Sequence, residues 1–198
     1  MRRIICMGML IVSTITFIIT INTKIKSEIT EIKATNEFKE KINIETEEVI
    51  VEAIDKEETQ QQDEFVNIKQ GEDIALIEIT SIGLETVIKE SLNKKYLNDF
   101  VCHFEDSVFP GEYGNFCLAG HSSYRYNEIF NDLHKIKVGD KIFITTLNNK
   151  YEYIVKDTFI VEPEELWVLN QNKTIKEMTI VTCANNGKSR FIVKAELN

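Results

Sequence analysis

The chain begins with an uncharged apolar run, and its second half alternates between apolar and polar positions. Ile4 to Ile21 is a stretch of 18 residues without a charge, which as a helix would span about 27 Å. The apolar part of a signal peptide is usually shorter, about 7–15 residues, and Asn22-Thr23-Lys24 does not resemble a cleavage site. We therefore expect residues 1–21 to be an uncleaved transmembrane anchor with a short cytoplasmic end. A cleaved signal peptide is the alternative.

Residues 22–70 form an acidic segment without glycine or proline. They carry 13 acidic and 7 basic residues. Ile25, Ile29 and Ile32 lie at i, i+4 and i+7, as on one face of a helix, but the pattern fades after about Phe38. We expect a solvated stalk, partly helical or disordered. A helix that binds a partner is the alternative.

From about Gly71 the pattern becomes that of many short strands. A short helix is predicted over 126–134, and a short helix or a loop over 92–106. The remaining apolar segments predict strands, and Asn148-Asn149 fits a hairpin turn between two of them. The predicted strands cover 74–80, 84–88, 115–119, 141–147, 150–161, 178–182 and 190–197. Many strands with little helix predict a mostly β domain over 71–198, closed or nearly closed into a barrel.

Composition and charge narrow the class of protein. The chain is 43% apolar and 28% charged, as expected of a globular protein, and its net charge of −9 argues against nucleic-acid binding. Beyond the apolar run it has three cysteines, Cys102, Cys117 and Cys183. Because three is odd, at least one thiol is unpaired within a monomer of an extracytoplasmic protein. An unpaired thiol is a candidate reactive group, although a buried inert cysteine is the commoner case.

Cys183 is the candidate nucleophile because it ends a predicted strand and has a cation nearby in sequence. Arg190 begins the next strand seven residues later, so a hairpin would return it to the thiol. His121 also ends a predicted strand, after Gly120, and could serve as the base that a nucleophilic thiol needs. From the residues alone, a rim thiol beside a solvated arginine and a structural histidine remain open alternatives.

No metal or cofactor is expected. The spacing of Cys102, Cys117 and His121 does not match a standard zinc pattern. A disulfide between Cys102 and Cys117 stays open, because nothing in the sequence fixes their distance. His134 is expected to be a surface or helix-end residue.

Five short segments, in order, resemble the sortase family. Thr-Ile-Val-Thr-Cys at 179–183 is close to the TLxTC signature of the family, with Ile180 in the place of leucine, and Arg190 follows it. The other segments are Ile-Glu-Ile-Thr-Ser-Ile-Gly-Leu (77–84), Phe-Pro-Gly-Glu-Tyr-Gly-Asn (109–115), Leu-Ala-Gly-His (118–121) and Lys-Val-Gly-Asp (137–140). These segments are distributed over essentially all of residues 71–198.

The resemblance implies an eight-stranded β-barrel that faces the outside of a Gram-positive-type cell, anchored as a single-pass membrane protein. It implies that Cys183 attacks a threonine carbonyl in an LPXTG- or LPXTA-like sorting signal and forms a thioacyl intermediate. His121 would exchange protons with the leaving and incoming amines, and Arg190 would stabilise the oxyanion. The partners would be secreted proteins that carry the signal and an amine of cell-wall material.

Within the family the chain looks most like class D, the class with a compact domain and short loops. Its only prolines, Pro110 and Pro163, leave no Asp-Pro-aromatic lid of the pilus-building type. The connection from 161 to 177 is too short for the additional helix of class B. Substrate contacts are expected from two residues on this connection and two beside the catalytic pair, namely Leu166, Trp167, Ser122 and Thr182. Core packing is the alternative for Trp167, and a non-catalytic, membrane-tethered binding or scaffold domain is the alternative for the whole barrel.

Overall fold

The computed structural model describes the backbone of residues 2–52, 65, 68–122 and 129–198, with side chains from residue 12 onward except 45–52. Within these residues a long helix precedes an eight-stranded barrel. The helices are α1 (Arg2–Glu52) and α2 (Lys94–Leu97). The strands are β1 (Asp73–Ile79), β2 (Leu84–Glu90), β3 (Val101–His103), β4 (Gly114–Gly120), β5 (Lys141–Thr145), β6 (Lys150–Val161), β7 (Lys176–Ala184) and β8 (Ser189–Leu197).

The strands close into a barrel in the order β1-β2-β3-β4-β7-β8-β6-β5, with β5 returning to β1. Most neighbouring strands are antiparallel, and the parallel pairs are β2 with β3 and β4 with β7. Closure pairs the backbone of every strand on both sides and leaves no free sheet edge in the barrel. Alternate side chains fill the interior, such as Phe116 and Leu118 of β4 with Met178 and Ile180 of β7.

The predicted barrel and seven of its strands are confirmed. The predicted strand over 150–161 agrees with β6 at both ends, whereas β7 is longer than predicted. The short strand β3 was missed because its sequence, Val-Cys-His, is too brief to show alternation. The helix predicted over 126–134 is wrong where it can be compared: 129–132 is a turn and a 3-10 helix spans Leu133–Lys135. Residues 126–128 lie outside the described part.

The stalk region is helical further than its pattern predicted, and part of it packs on the barrel. Phe38 is 1% exposed and packs with Leu76, Val87 and Phe100. The side chain of Ser27 donates a hydrogen bond to the Asp99 carboxylate. The three isoleucines of the predicted stripe, Ile25, Ile29 and Ile32, are all exposed, so the stripe is not the face of the helix that packs on the barrel.

A second contact joins the polar side of the same helix to β2. Lys39 Nζ lies 2.6 Å from a carboxylate oxygen of Glu85. Burial raises the pKa of the Glu31 carboxyl, nearby Glu28 and Asp99 raise it further, and the neighbouring Thr86 side chain opposes these effects. The helix is therefore docked through apolar, hydrogen-bonding and charged contacts.

Among the described residues, no helix has an apolar stretch long enough to cross a membrane. The apolar run of the predicted anchor begins at Ile4, and the side chains of residues 4–11 lie outside the described part. The anchor over 1–21 therefore stays a prediction.

Candidate functional site at the rim of the barrel

Three predicted site residues come from the ends of three adjacent strands. Cys183 on β7 is the direct antiparallel partner of Arg190 on β8. On the other side of β7, Gly120 pairs with Thr182 in parallel, so His121 follows at the level of Cys183. Neighbouring strands lie about 4.8 Å apart. The fold thus brings His121, Cys183 and Arg190 into one row at the rim.

The alternation of β7 and β8 places Cys183 and Arg190 on the outer face of the barrel. Ile180 of β7 and Val193 of β8 point into the core. Because successive side chains of a strand point to opposite faces, Cys183 and Arg190 point outward. Both are partly exposed.

The turn between β7 and β8 is built from residues that accept left-handed backbone. Asn185, Asn186 and Gly187 have φ angles of 51°, 57° and 83°. Asparagine and glycine adopt this region at the lowest cost. Nη1 of Arg190 donates to the carbonyls of Gly187 and Ser189 at 3.0 and 3.1 Å. The turn therefore holds the arginine in place through one of its nitrogens, and the guanidinium carries five N–H donors in all.

His121 begins the connection from β4 to β5, and that connection is pinned at its base. The backbone N–H of Phe130 donates to the His121 carbonyl at 2.9 Å. A Cβ added at Gly120 would come within 2.5 Å of the Phe130 ring. The glycine before His121 is thus required for close approach of that ring.

Two cavities open beside the row. One of about 370 Å³ is lined by Cys183, Ser122 and Phe191. The other, of about 200 Å³, lies between α1 and the barrel, and His121 lines it together with Glu31 and Asp99. The thiol and the histidine therefore border different openings at the same rim.

Thr182 is a predicted substrate contact that the structure finds buried. Its hydroxyl donates to the Gly120 carbonyl at 2.7 Å. This bond joins the ends of β4 and β7 just before His121 and Cys183. Ser122 is partly exposed at the cavity beside the thiol, and its contact with substrate stays a prediction.

The connection between β6 and β7 carries the two predicted apolar contacts on a 3-10 turn, Leu166–Leu169. Leu166 is 67% exposed and Trp167 is 51% exposed. The indole stacks on Phe159 with ring centroids 5.6 Å apart. Core packing, the alternative for Trp167, is therefore not what the structure shows.

The other two soluble thiols are free and buried, so the disulfide considered from the sequence is absent. Burial raises the pKa of Cys102 and of Cys117 to about 12. Neither offers a thiolate near neutral pH, which leaves Cys183 as the accessible thiol of the described barrel.

His103 is buried and therefore cannot act as the proton carrier of a site at the surface. Its ring is fully buried, with Nδ1 2.6 Å from a Glu90 carboxylate oxygen and Nε2 2.8 Å from the Ser107 hydroxyl. These contacts join β2, β3 and the loop that follows. Among the described residues, no group of three or more histidine, cysteine, aspartate or glutamate side chains could hold a metal.

The described domain is a closed eight-stranded barrel that carries a thiol, a histidine and an arginine at the ends of three adjacent strands. Residues 77–198 match the family described as the Sortase domain. The chain belongs to the sortase family.

Individual relatives agree with this assignment. Sortase A of Bacillus anthracis is 30% identical over 126 residues, which cover 63% of this chain and 59% of that protein. Sortase D of Bacillus subtilis is 24% identical over 128 residues, which cover 62% of this chain and 63% of that protein. The chain thus spans about three fifths of the length of these two curated relatives.

Among solved structures, a Sortase D5 transpeptidase of Clostridium perfringens is 43% identical, with a TM-score of 0.69. The match covers 85% of this chain and 98% of that one.

Proposed function

We propose that this chain is a sortase-type cysteine transpeptidase that acts on a C-terminal sorting signal. The observation that carries the proposal is the row of His121, Cys183 and Arg190 at the ends of β4, β7 and β8. A nucleophile, a proton carrier and an oxyanion donor are the three groups that acyl transfer through a thioester needs.

In the first half-reaction the Cys183 thiolate forms a bond to the carbonyl carbon of the signal's threonine. The carbonyl oxygen becomes an oxyanion, to which the Arg190 guanidinium donates hydrogen bonds. The bond to the next residue then breaks, and the leaving amine takes a proton from the His121 imidazolium. The product is a thioacyl-enzyme on Cys183.

In the second half-reaction an amine of cell-wall material attacks the thioacyl carbonyl. Its proton passes to His121, and the Cys183 thiolate is released with the new amide bond formed. Water in the place of the amine gives slow hydrolysis. The same three residues therefore serve both halves with no net change in their protonation.

We infer an LPXTG- or LPXTA-like signal whose leucine contacts Leu166 and Trp167. The exposure of these two side chains on the connection between β6 and β7 supports this role. The 43% identity to a Sortase D5 transpeptidase supports a class D enzyme. Some members of class D favour an alanine-ended signal, so LPXTA stands beside LPXTG as a candidate.

We also propose that residues 4–21 anchor the enzyme in the cell membrane, with the barrel outside. Apolar side chains of α1 stay uncovered by the barrel, including Val12, Ile15, Phe17 and Ile18. Resistance of the expressed chain to carbonate extraction, lost in an Ile15→Lys/Ile18→Lys variant, tests the anchor. Extraction of the unaltered chain by carbonate would refute it.

The catalytic proposal is tested by incubating the full chain with LPXTG and LPXTA peptides and glycinamide. Mass spectrometry should find cleavage after threonine, a glycinamide adduct of the released peptide and a thioacyl adduct on Cys183. Cys183→Ala should abolish all three. Full activity of Cys183→Ala would refute the mechanism, and absence of cleavage by the unaltered chain would favour a binding or scaffold domain.

A further inference from the structure

The outer face of β4, β7 and β8 carries a second row of polar residues below the rim. Cys117, Thr179 and Lys194 are paired across the three strands, four residues from the row of His121, Cys183 and Arg190. At about 3.3 Å per residue the two rows lie about 13 Å apart. In an extended Leu-Pro-X-Thr segment the leucine and threonine lie about 10 Å apart, so a segment that ends at the thiol reaches most of the way to the second row.

Two side-chain nitrogens of this region converge on one carbonyl oxygen of the connection between β6 and β7, and the Thr179 hydroxyl lies 3.3 Å from the same oxygen. Lys194 Nζ donates to the Val168 carbonyl at 2.8 Å, and Asn115 Nδ2 donates to the same oxygen at 3.1 Å. Val168 directly follows Trp167 in the 3-10 turn. The bond to the ammonium is charge-assisted and therefore stronger than a neutral one.

The orientation of the Asn115 amide is itself fixed. The Thr179 hydroxyl donates to Asn115 Oδ1 at 2.7 Å, which turns Nδ2 toward the connection. The same Nδ2 also donates to the Asn170 carbonyl at 3.2 Å. Gln171 adds a pair of bonds to the Asn115 backbone, at 2.9 and 3.0 Å. The turn is thus tied to the barrel on the residues that follow Trp167.

Lys194 reaches this position at an electrostatic cost. It is 19% exposed, and Glu177 lies 3.7 Å from Nζ. Burial lowers the pKa of Lys194, and Glu177 opposes that shift. A lysine that only improved solubility would remain in solvent, as Lys156 does in its 3.7 Å pair with Glu196.

We propose that Lys194 and Asn115 are positioning residues for substrate recognition, because they fix the Val168 carbonyl and hence the place of Leu166 and Trp167 on the connection between β6 and β7. The proposal rests on the proposed function. It assigns to Lys194 a role in binding the signal rather than in the chemistry at Cys183. Lys194 lies four residues along β8 from Arg190, and no step of acyl transfer requires it.

The first measurement needs no substrate. Trp167 is the only tryptophan of the chain, so quenching of its fluorescence by acrylamide reports the position of this turn. Lys194→Met should increase the quenching constant, whereas the matched surface variant Lys156→Met should leave it unchanged. An unchanged constant in Lys194→Met would overturn the proposal.

The second measurement separates recognition from chemistry in the full chain with the peptide that it cleaves. Loss of one charge-assisted bond should raise KM about tenfold in Lys194→Met, with kcat within about twofold of the unaltered chain. Lys194→Arg, which keeps a charged donor, should restore most of the affinity. An unchanged KM, or a fall in kcat with no change in KM, would overturn the proposal.

If Lys194→Met does not fold, the isosteric variant Thr179→Val provides a second test of the positioning role. It removes the hydroxyl that orients Asn115, so KM and quenching should move in the same direction by a smaller factor. Failure of the unaltered chain to cleave any peptide would refute the proposed function. The quenching comparison would still decide whether Lys194 holds the turn.

Discussion

Cys183 and Arg190 face each other as direct partners across the hairpin of β7 and β8. The turn between them contains three successive left-handed residues, and Arg190 Nη1 donates to the carbonyl of Gly187 in the turn and to that of Ser189 at the start of β8. The spacing of thiol and guanidinium is therefore set by strand register and turn geometry together. The arginine reaches the rim without a flexible loop.

Arg190→Ala should lower kcat about 100-fold or more, because an oxyanion would lose its charged donor. Peptide cleavage kinetics measure this loss, and Lys188→Ala, an exposed change in the same turn, serves as the control. The thermal midpoint should be recorded as well, since two bonds to the turn are also lost. A kcat near that of the unaltered chain would contradict the assignment.

His121→Ala should lower amide cleavage about 100-fold or more, because the leaving amine would lack its proton donor. A peptide thioester releases a thiolate that needs no proton, so its acyl transfer to Cys183 should fall less than about tenfold. Added imidazole should restore part of the amide cleavage. Equal losses with the amide and the thioester would argue against a proton-transfer role.

Thiol reagents should distinguish the three cysteines of the barrel. Iodoacetamide at pH 7–8 should label Cys183 and leave Cys102 and Cys117 unmodified, because burial raises the pKa of both to about 12. Peptide mapping by mass spectrometry reads the outcome, and labelling in denaturant shows that all three can react. Labelling of Cys102 as fast as Cys183 in the folded chain would contradict the assignment.

Phe38→Ala should loosen the contact between α1 and the barrel. Deleting a fully buried phenylalanine costs about 3–5 kcal/mol. The free energy of unfolding in urea and hydrogen exchange of the α1 amides measure the loss. Ile32→Ala, on an exposed position of the same helix, should cost less than about 0.5 kcal/mol. Equal effects would mean that the helix does not dock.

Glu31 should make this docking dependent on pH. Its pKa is raised by burial, so its contribution to stability is fully present below its unfolded pKa of about 4.3 and is lost as pH rises through the folded value. Glu31→Gln should therefore match the unaltered chain near pH 4 and have a higher thermal midpoint at pH 7.

The matched control for this comparison is Glu37→Gln. Glu37 is exposed on the same helix and pairs with Lys33. It should show no such divergence between pH 4 and 7. If Glu31→Gln had a lower thermal midpoint than the unaltered chain at pH 7, the prediction would be contradicted.

The amino-acid sequence predicted the strands well because alternation is a local property. It could not predict that β4 and β7 pair in parallel, which puts His121 beside Cys183 although 62 residues separate Gly120 from Thr182. That adjacency was expected only from the family resemblance. Periodicity likewise gave no sign that α1 continues past Phe38, because beyond that residue isolated contacts, such as the Lys39 pair with Glu85 and the packing of Ile42 beside Phe38, take the place of a regular apolar stripe.

The positioning residues were missed for a related reason. Lys194 occupies an outward position of an alternating strand, where a charged residue is ordinary. Asn115 reads as the polar start of an apolar strand. Their shared contact becomes visible only in the structure, where the connection between β6 and β7 brings the Val168 carbonyl within hydrogen-bond distance of both side chains.

The long helix α1 sets the distance between the barrel and the N-terminal end of the chain. Its 51 residues measure about 76 Å, and the docked part holds the barrel at a set level along that length. Thr20 and Thr23 line the same opening as His121. If residues 4–21 insert in the bilayer as proposed, the rim would work at the lipid headgroups. Both the signal and its acceptor would then have to meet at that level, which favours molecules that are themselves tethered to the membrane.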